Sequence, residues 1–99
     1  MRILGIIPTR YASSRFPGKA LADIGGKPMI QWVYEQSKMS SFLTELIVAT
    51  DDERIFDRCT ALNIPVEMTA DYHRSGTDRC AEVAKKHPDF EAVIYIHCD

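Results

Sequence analysis

Four short apolar, β-branched runs (residues 3–7, 46–49, 66–68 and 92–96) alternate with three amphipathic stretches at 28–39, 52–62 and 77–87. A strand that reads as a continuous apolar run is buried on both faces, and a helical crossover returns the next strand parallel to the last. The order β-α-β-α-β-α-β therefore predicts an α/β fold, a mainly parallel sheet covered by helices.

The helix signals are local. Pro28 suits a first helical position, and Met29, Ile30, Val33 and Tyr34 follow as one apolar stripe. Thr50 and Glu53 have the spacing of a capping box, with Ile55, Phe56, Cys59 and Leu62 as the buried face and Asn63 and Pro65 as the stop. Ser75 or Thr77 can cap the third helix, whose inner face is Cys80, Val83 and Ala84 and which Pro88 ends. Asp51, Asp52 and Glu53 read as complements to the dipole of the second helix rather than as a metal site. Trp32 and Tyr34 read as packing groups.

Charge is unevenly placed. Residues 1–22 hold Arg2, Arg10, Arg15 and Lys19 with no acid, whereas the rest carries eight basic and fourteen acidic residues. The segment Pro8-Thr9-Arg10-Tyr11-Ala12-Ser13-Ser14-Arg15-Phe16-Pro17-Gly18-Lys19 thus forms a cationic loop directly after the first apolar run. Open α/β sheets bind ligands at the carboxyl ends of their strands, and guanidinium and ammonium groups there suit phosphates. A solvated basic edge is the competing reading. With a net charge of −2, the chain has no general attraction for nucleic acid or a membrane surface, whereas a local positive lip suits a small polyanion such as a nucleotide.

Several classes are excluded on pattern. No Gly-x-x-x-x-Gly-Lys-Ser/Thr occurs, and no Gly-x-Gly-x-x-Gly follows the first strand, which argues against a P-loop kinase and a dinucleotide dehydrogenase. Cys59, Cys80 and Cys98 lie far apart, and His73, His87 and His97 lack metal-site spacing, so neither a disulfide framework nor a zinc site is indicated. Cys59 and Cys80 read as core. Neither a membrane-spanning run nor a signal peptide is recognisable, and a cytoplasmic location is expected.

The pattern Ile7-Pro8-x-Arg10-x-x-Ser13-x-Arg15-x-Pro17-Gly18-Lys19, followed by Gly26-Lys27-Pro28-Met29-Ile30, resembles the sugar-nucleotide cytidylyltransferases. Ala49-Thr50-Asp51 and His73-x-Ser75-Gly76-Thr77-x-Arg79 narrow the resemblance to the 3-deoxy-manno-octulosonate (Kdo) cytidylyltransferases, or CMP-Kdo synthetases. It runs through nearly the whole chain. The resemblance implies a Rossmann-like three-layer nucleotidyltransferase fold, of which residues 1–99 form an incomplete, truncated N-terminal nucleotide-binding half. It also implies transfer of CMP from CTP to Kdo for lipopolysaccharide assembly, with release of pyrophosphate and with Mg²⁺ as cofactor.

By that resemblance Arg10 and Lys19 are the catalytic residues and hold the phosphates with Arg15, while Ser75, Gly76 and Arg79 line the cytosine pocket. Read without it, Ser75-Gly76-Thr77 is a turn and helix cap. Asp99 follows the last strand, where the family has Gln-Gly-Asp and uses the aspartate to bind Mg²⁺. Here His97 and Cys98 replace Gln and Gly, which puts a side chain where glycine lets the ribose approach. Family members are longer, and the remainder supplies the sugar pocket, a second metal-binding aspartate and most of a homodimer contact. Expected partners are CTP and Kdo. The alternatives are a sister cytidylyltransferase for another acidic sugar, or a non-catalytic nucleotide-binding remnant if the chain ends here.

Overall fold

The computed structural model describes residues 1–12 and 17–98. Its main sheet holds four strands: β1 (Ile3–Pro8), β4 (Glu45–Thr50), β5 (Val66–Met68) and β6 (Ala92–Tyr95). They lie in the order β5-β4-β1-β6, and every pairing is parallel, with Ile6 opposite Ile47 on one side and opposite Tyr95 on the other. This is the expected α/β architecture. Among the described residues the helices are α1 (Met29–Lys38), α2 (Glu53–Ala61) and α3 (Gly76–Lys85), with a 3-10 turn at Lys19–Leu21 ahead of α1.

Strand alternation sends successive side chains to opposite faces, so β1 and β4 each feed two cores. Leu4 and Ile6 join Ile47, Ala49, Cys80 and Val83 under α3. Ile7 joins Leu46, Val48, Ile30, Tyr34, Ile55 and Cys59 under α1 and α2. The result is three layers, helix on sheet on helix. Leu4, Ile6, Ile7, Ile30, Ile55 and Val83 have no exposed surface, and each such side chain contributes about 1.5–3 kcal/mol relative to exposure. Gly5 is where the α1 side closes down: a Cβ there would stand 2.8 Å from Leu46 Cδ1. The expected burial on both faces holds for β1 and β4. It fails for the two edge strands, β5 keeping Met68 38% exposed and β6 keeping Tyr95 37% exposed.

One local expectation is corrected and one choice is settled. Thr50 and Glu53 do not form a capping box: Asp52 is the N-cap of α2, its carboxylate accepting from the Arg54 and Ile55 amides. Thr50 is unavailable because β4 runs through it, pairing it with Met68 and placing its carbonyl 2.8 Å from the Thr69 amide. Of the two candidates for α3, Ser75 is the cap, accepting from Asp78 N–H at 3.1 Å.

A short antiparallel hairpin, β2 (Asp23–Ile24) and β3 (Lys27–Pro28), precedes α1. Its turn residues Gly25 and Gly26 have φ of 61° and 93°, the double positive-φ geometry of a tight two-residue hairpin. Trp32 is less a core group than a bracket for this hairpin. Its indole N–H donates to Ile24 C=O at 2.6 Å, and Lys27 Nζ lies 4.5 Å from its ring centroid. Tyr34 packs in the core as expected.

Candidate functional site at the carboxyl edge of the sheet

The chain passes from β1 to β4 to β5 in one direction, then crosses back through α3 to place β6 on the far side of β1. The carboxyl ends of β1 and β6 therefore flank a topological switch point, where open α/β sheets form their ligand crevice. The notable motifs converge on this edge. Thr9 continues the ladder by donating to Ala49 C=O at 2.8 Å, Ile96 does the same to Ile6 C=O at 2.9 Å, and the segments beyond them leave side by side.

The cationic loop is closed at its base. Gly18 N–H donates to Tyr11 C=O at 2.7 Å, which sets Lys19 beside the strand end that carries Arg10. Gly18 has φ of 74°, and a Cβ there would lie 3.0 Å from two ring carbons and the hydroxyl oxygen of Tyr11, so glycine is required twice over. The Arg54 guanidinium lies 3.3 Å from the Tyr11 ring centroid and is held flat by a two-pronged contact to Asp52, at 3.1 and 2.8 Å. That contact, with the amides of Ile55 and Arg54, lowers the Asp52 carboxyl below its ordinary range. Thus α2 anchors the loop.

Among the described residues, Arg10 and Lys19 have no hydrogen bond or ion pair from their side chains, which is equally true of Arg58, Arg74 and Lys85, whereas Arg2, Lys27, Arg54, Arg79 and Lys86 each have a carboxylate partner; what sets Arg10 and Lys19 apart is their place at the end of β1. Arg15 lies outside the described residues. So does Asp99.

Ser75 and Gly76 reach the same edge from the opposite face of the sheet. A Cβ on Gly76 would stand 3.1 Å from Pro8 Cγ, so the first turn of α3 sits directly on the end of β1. Ser75 is exposed. Arg79, one turn further on, is only 6% exposed. Its Nη1 donates to Thr69 Oγ1 at 2.6 Å and to Ala70 C=O at 3.3 Å, and its Nη2 lies 3.6 Å from Asp51 Oδ2. This guanidinium ties α3 to the ends of β4 and β5, standing behind Ser75 and Gly76.

Glu82 completes that attachment. Its Oε1 accepts from Ala70 N–H at 3.1 Å and lies 2.7 Å from His73 Nε2. The His73 contact first, then the Ala70 amide, holds the Glu82 carboxyl down at about 2. Sequence reasoning missed Thr69, Glu82 and Arg54. Spacing on α3 could have flagged Glu82, which is three residues from Arg79 on the same helical face.

Of the acidic trio after β4, Asp52 serves as cap and Asp51 faces Arg79, in keeping with the structural reading of that cluster. Among the described residues no three His, Cys, Asp or Glu side chains gather as a metal site. Cys59 and Cys80 are buried, and burial raises their thiols to about 11 and about 12. Cys98 packs against the apolar cluster beneath α1 and α2. No described helix is long and apolar enough to cross a membrane.

Comparison with known proteins follows the same lines. A family model described as cytidylyltransferase matches residues 4–99. The chain is 57% identical over 99 residues to a 3-deoxy-manno-octulosonate cytidylyltransferase of Geobacter metallireducens, covering all of this chain and 39% of that protein. It is 50% identical over 98 residues to the protein of the same name in Leptospira interrogans, covering 99% of this chain and 40% of that one.

Among solved structures, a CMP:2-keto-3-deoxy-manno-octonic acid synthetase complexed with CTP superposes with a TM-score of 0.95 at 43% identity, covering all of this chain and 41% of that one. A cytidylyltransferase from Leptospira borgpetersenii, at 20% identity and a TM-score of 0.83, shares the fold. The chain thus spans about two-fifths of the length of the relatives it matches. With nearly every residue inside the matched region, the chain belongs to the cytidylyltransferase family.

Proposed function

We propose that the polypeptide carrying this chain transfers CMP from CTP to the anomeric hydroxyl of Kdo, and that residues 1–99 supply its nucleotide-binding part. The observation that carries this is the meeting of two features on one sheet edge. Arg10 and Lys19, without acidic partners among the described residues, close the loop after β1, and the first turn of α3 rests on Pro8 beside them. The names of the relatives reported above support CTP and Kdo as its substrates.

In this reading the sugar hydroxyl oxygen attacks the α-phosphorus, the bond from that phosphorus to the bridging oxygen breaks, and pyrophosphate leaves with the electron pair. The hydroxyl proton passes to solvent. Arg10 and Lys19, with Arg15 from the same loop, hold the triphosphate and offset the charge that builds on the leaving group. Ser75 and Gly76 meet the cytosine, the glycine letting backbone approach the base, and Arg79 supports them from behind. Catalysis is then chiefly positioning and charge neutralisation.

Mg²⁺ belongs to this proposal as the cation that accompanies the nucleotide, held by carboxylate and phosphate oxygens. Asp99, just past β6, is the carboxylate we assign to it. Bound there, the ion would polarise the α-phosphate. The acceptor sugar, a homodimeric state, a role in lipopolysaccharide assembly and a cytoplasmic location belong to this same proposal.

The test is pyrophosphate release by the full-length polypeptide from CTP, Mg²⁺ and Kdo. Release that requires both CTP and Kdo is expected. Release with another acidic sugar but not Kdo would move the assignment to a sister cytidylyltransferase, and none with any sugar would overturn it.

A further inference from the structure

The segment between β5 and α3 must leave the sheet, turn, and deliver Ser75 and Gly76 to the crevice with Asp71, Tyr72 and Arg74 exposed to solvent. Its course is fixed by two side chains three residues apart on α3, on the same face of the helix. Ala70 is the pivot: its N–H donates to Glu82 Oε1 at 3.1 Å and its C=O accepts from Arg79 Nη1 at 3.3 Å. One peptide residue is thus held through both backbone groups by opposite charges.

Glu82 reaches further along the loop than Arg79 does. The same Oε1 lies 2.7 Å from Nε2 of His73, whose side chain is 8% exposed. A carboxylate can only accept, so that nitrogen carries the hydrogen. Tyr72 lies over the His73 ring at 4.8 Å between centroids. One oxygen therefore gathers residues 70 and 73, and Ser75 is fixed beyond them by its own cap to Asp78 N–H. Glu82 itself sits on the second turn of α3, behind the residues that face the crevice.

We infer that Glu82 is a positioning residue for the base-facing end of the nucleotide site: through the Ala70 amide and the His73 ring it sets the course of residues 69–75 and so the placement of Ser75 and Gly76. The inference rests on the proposed CTP-binding reading. It separates the site into two halves, because the phosphate-facing loop is anchored to α2 through Tyr11 and Arg54, and the contacts of Glu82 among the described residues go instead to Ala70, His73 and Lys86. A residue that served stability alone would weaken both halves together.

The experiment is calorimetric titration of the full-length polypeptide with CTP and, separately, with inorganic tripolyphosphate. For Glu82→Ala the CTP dissociation constant is expected to rise about tenfold, the scale of one lost hydrogen bond to a charged acceptor, with the tripolyphosphate constant within about twofold of wild type. Glu82→Gln, which keeps an oxygen for the Ala70 amide, should recover most of the loss. If Glu82→Ala does not fold, His73→Ala removes one limb of the contact and should give a smaller loss, again confined to CTP. Equal weakening of both ligands, or undiminished CTP binding, overturns the inference. A wild-type protein that binds tripolyphosphate but not CTP sinks the functional reading first, and the inference with it.

Discussion

Replacing Arg79 with methionine tests how the crevice is built. Methionine retains much of the packing of the aliphatic stem and removes the guanidinium. The loss begins with the 2.6 Å bond to Thr69 Oγ1, a charge-assisted contact in a site where Arg79 is 6% exposed, worth about 1.5–3 kcal/mol. The 3.3 Å contact to Ala70 C=O adds a fraction of a neutral bond. The Asp51 contact, at 3.6 Å with that carboxylate 23% exposed, adds less than about 1 kcal/mol, because water re-solvates the acid.

The expected cost is about 3 kcal/mol, a large share of the ~5–15 kcal/mol that holds a typical domain. In urea denaturation of the full-length polypeptide, with a slope of about 1.5 kcal/mol/M, the midpoint should fall by about 2 M. Thr69→Val removes the other half of the short bond, so the double-mutant cycle should show a coupling of about 1.5 kcal/mol. An Arg79→Met cost below about 1 kcal/mol, or a coupling near zero, would refute the view that this side chain joins α3 to the sheet edge.

Three further outcomes are expected. Gly18→Ala should destabilise the protein by about 1–2 kcal/mol from left-handed backbone strain alone, seen as a lower Tm, since Gly18 has φ of 74° and faces the Tyr11 ring; an unchanged Tm would contradict the loop closure. Arg10→Ala and Lys19→Ala should each reduce the thermal protection given by CTP, and wild-type protection should fall with added salt; retained protection removes them from the phosphate site. Glu82, whose folded-state value of about 2 lies below its ordinary 4.5, contributes stability that is complete above pH 4.5 and is lost as pH falls toward 2. Acid titration of stability should therefore be flatter in Glu82→Gln than in wild type over that window, and parallel curves would rule the contribution out.

The element order was legible because it is written in local patterns. Buried runs such as Ile3-Leu4-Gly5-Ile6-Ile7 and the apolar stripe of α2 need no partner to be recognised. The Gly25-Gly26 hairpin carried an equally local signal, and only its short flanks hid it. The α2 cap was misread for a tertiary reason: Thr50 has the right spacing from Glu53, but the β5 ladder holds it extended, leaving the role to Asp52. The cationic loop could be located by charge, while its anchor could not. Arg54 meets Tyr11 across 43 residues of sequence, and Ala70 meets Glu82 through a backbone group that has no signature in composition. Strand order is of the same kind, since nothing in the β6 run says that it lies beside β1 rather than β5.

That strand order also bears on how the chain acquires its structure. β1, made before either of its neighbours, is flanked by β4 and by β6, so Ile3 finds its partner Ala92 only after the 88 residues between them have been made. Loop closure over that span costs entropy before any contact repays it, and parallel pairing of this kind is slow. The α1 side, built from β1, β4 and their intervening helix α1, can collapse earlier. The edge of β1 that later receives β6 stays open meanwhile, an apolar ribbon with unpaired amides, and it is the part of the nascent protein most in need of protection from other chains.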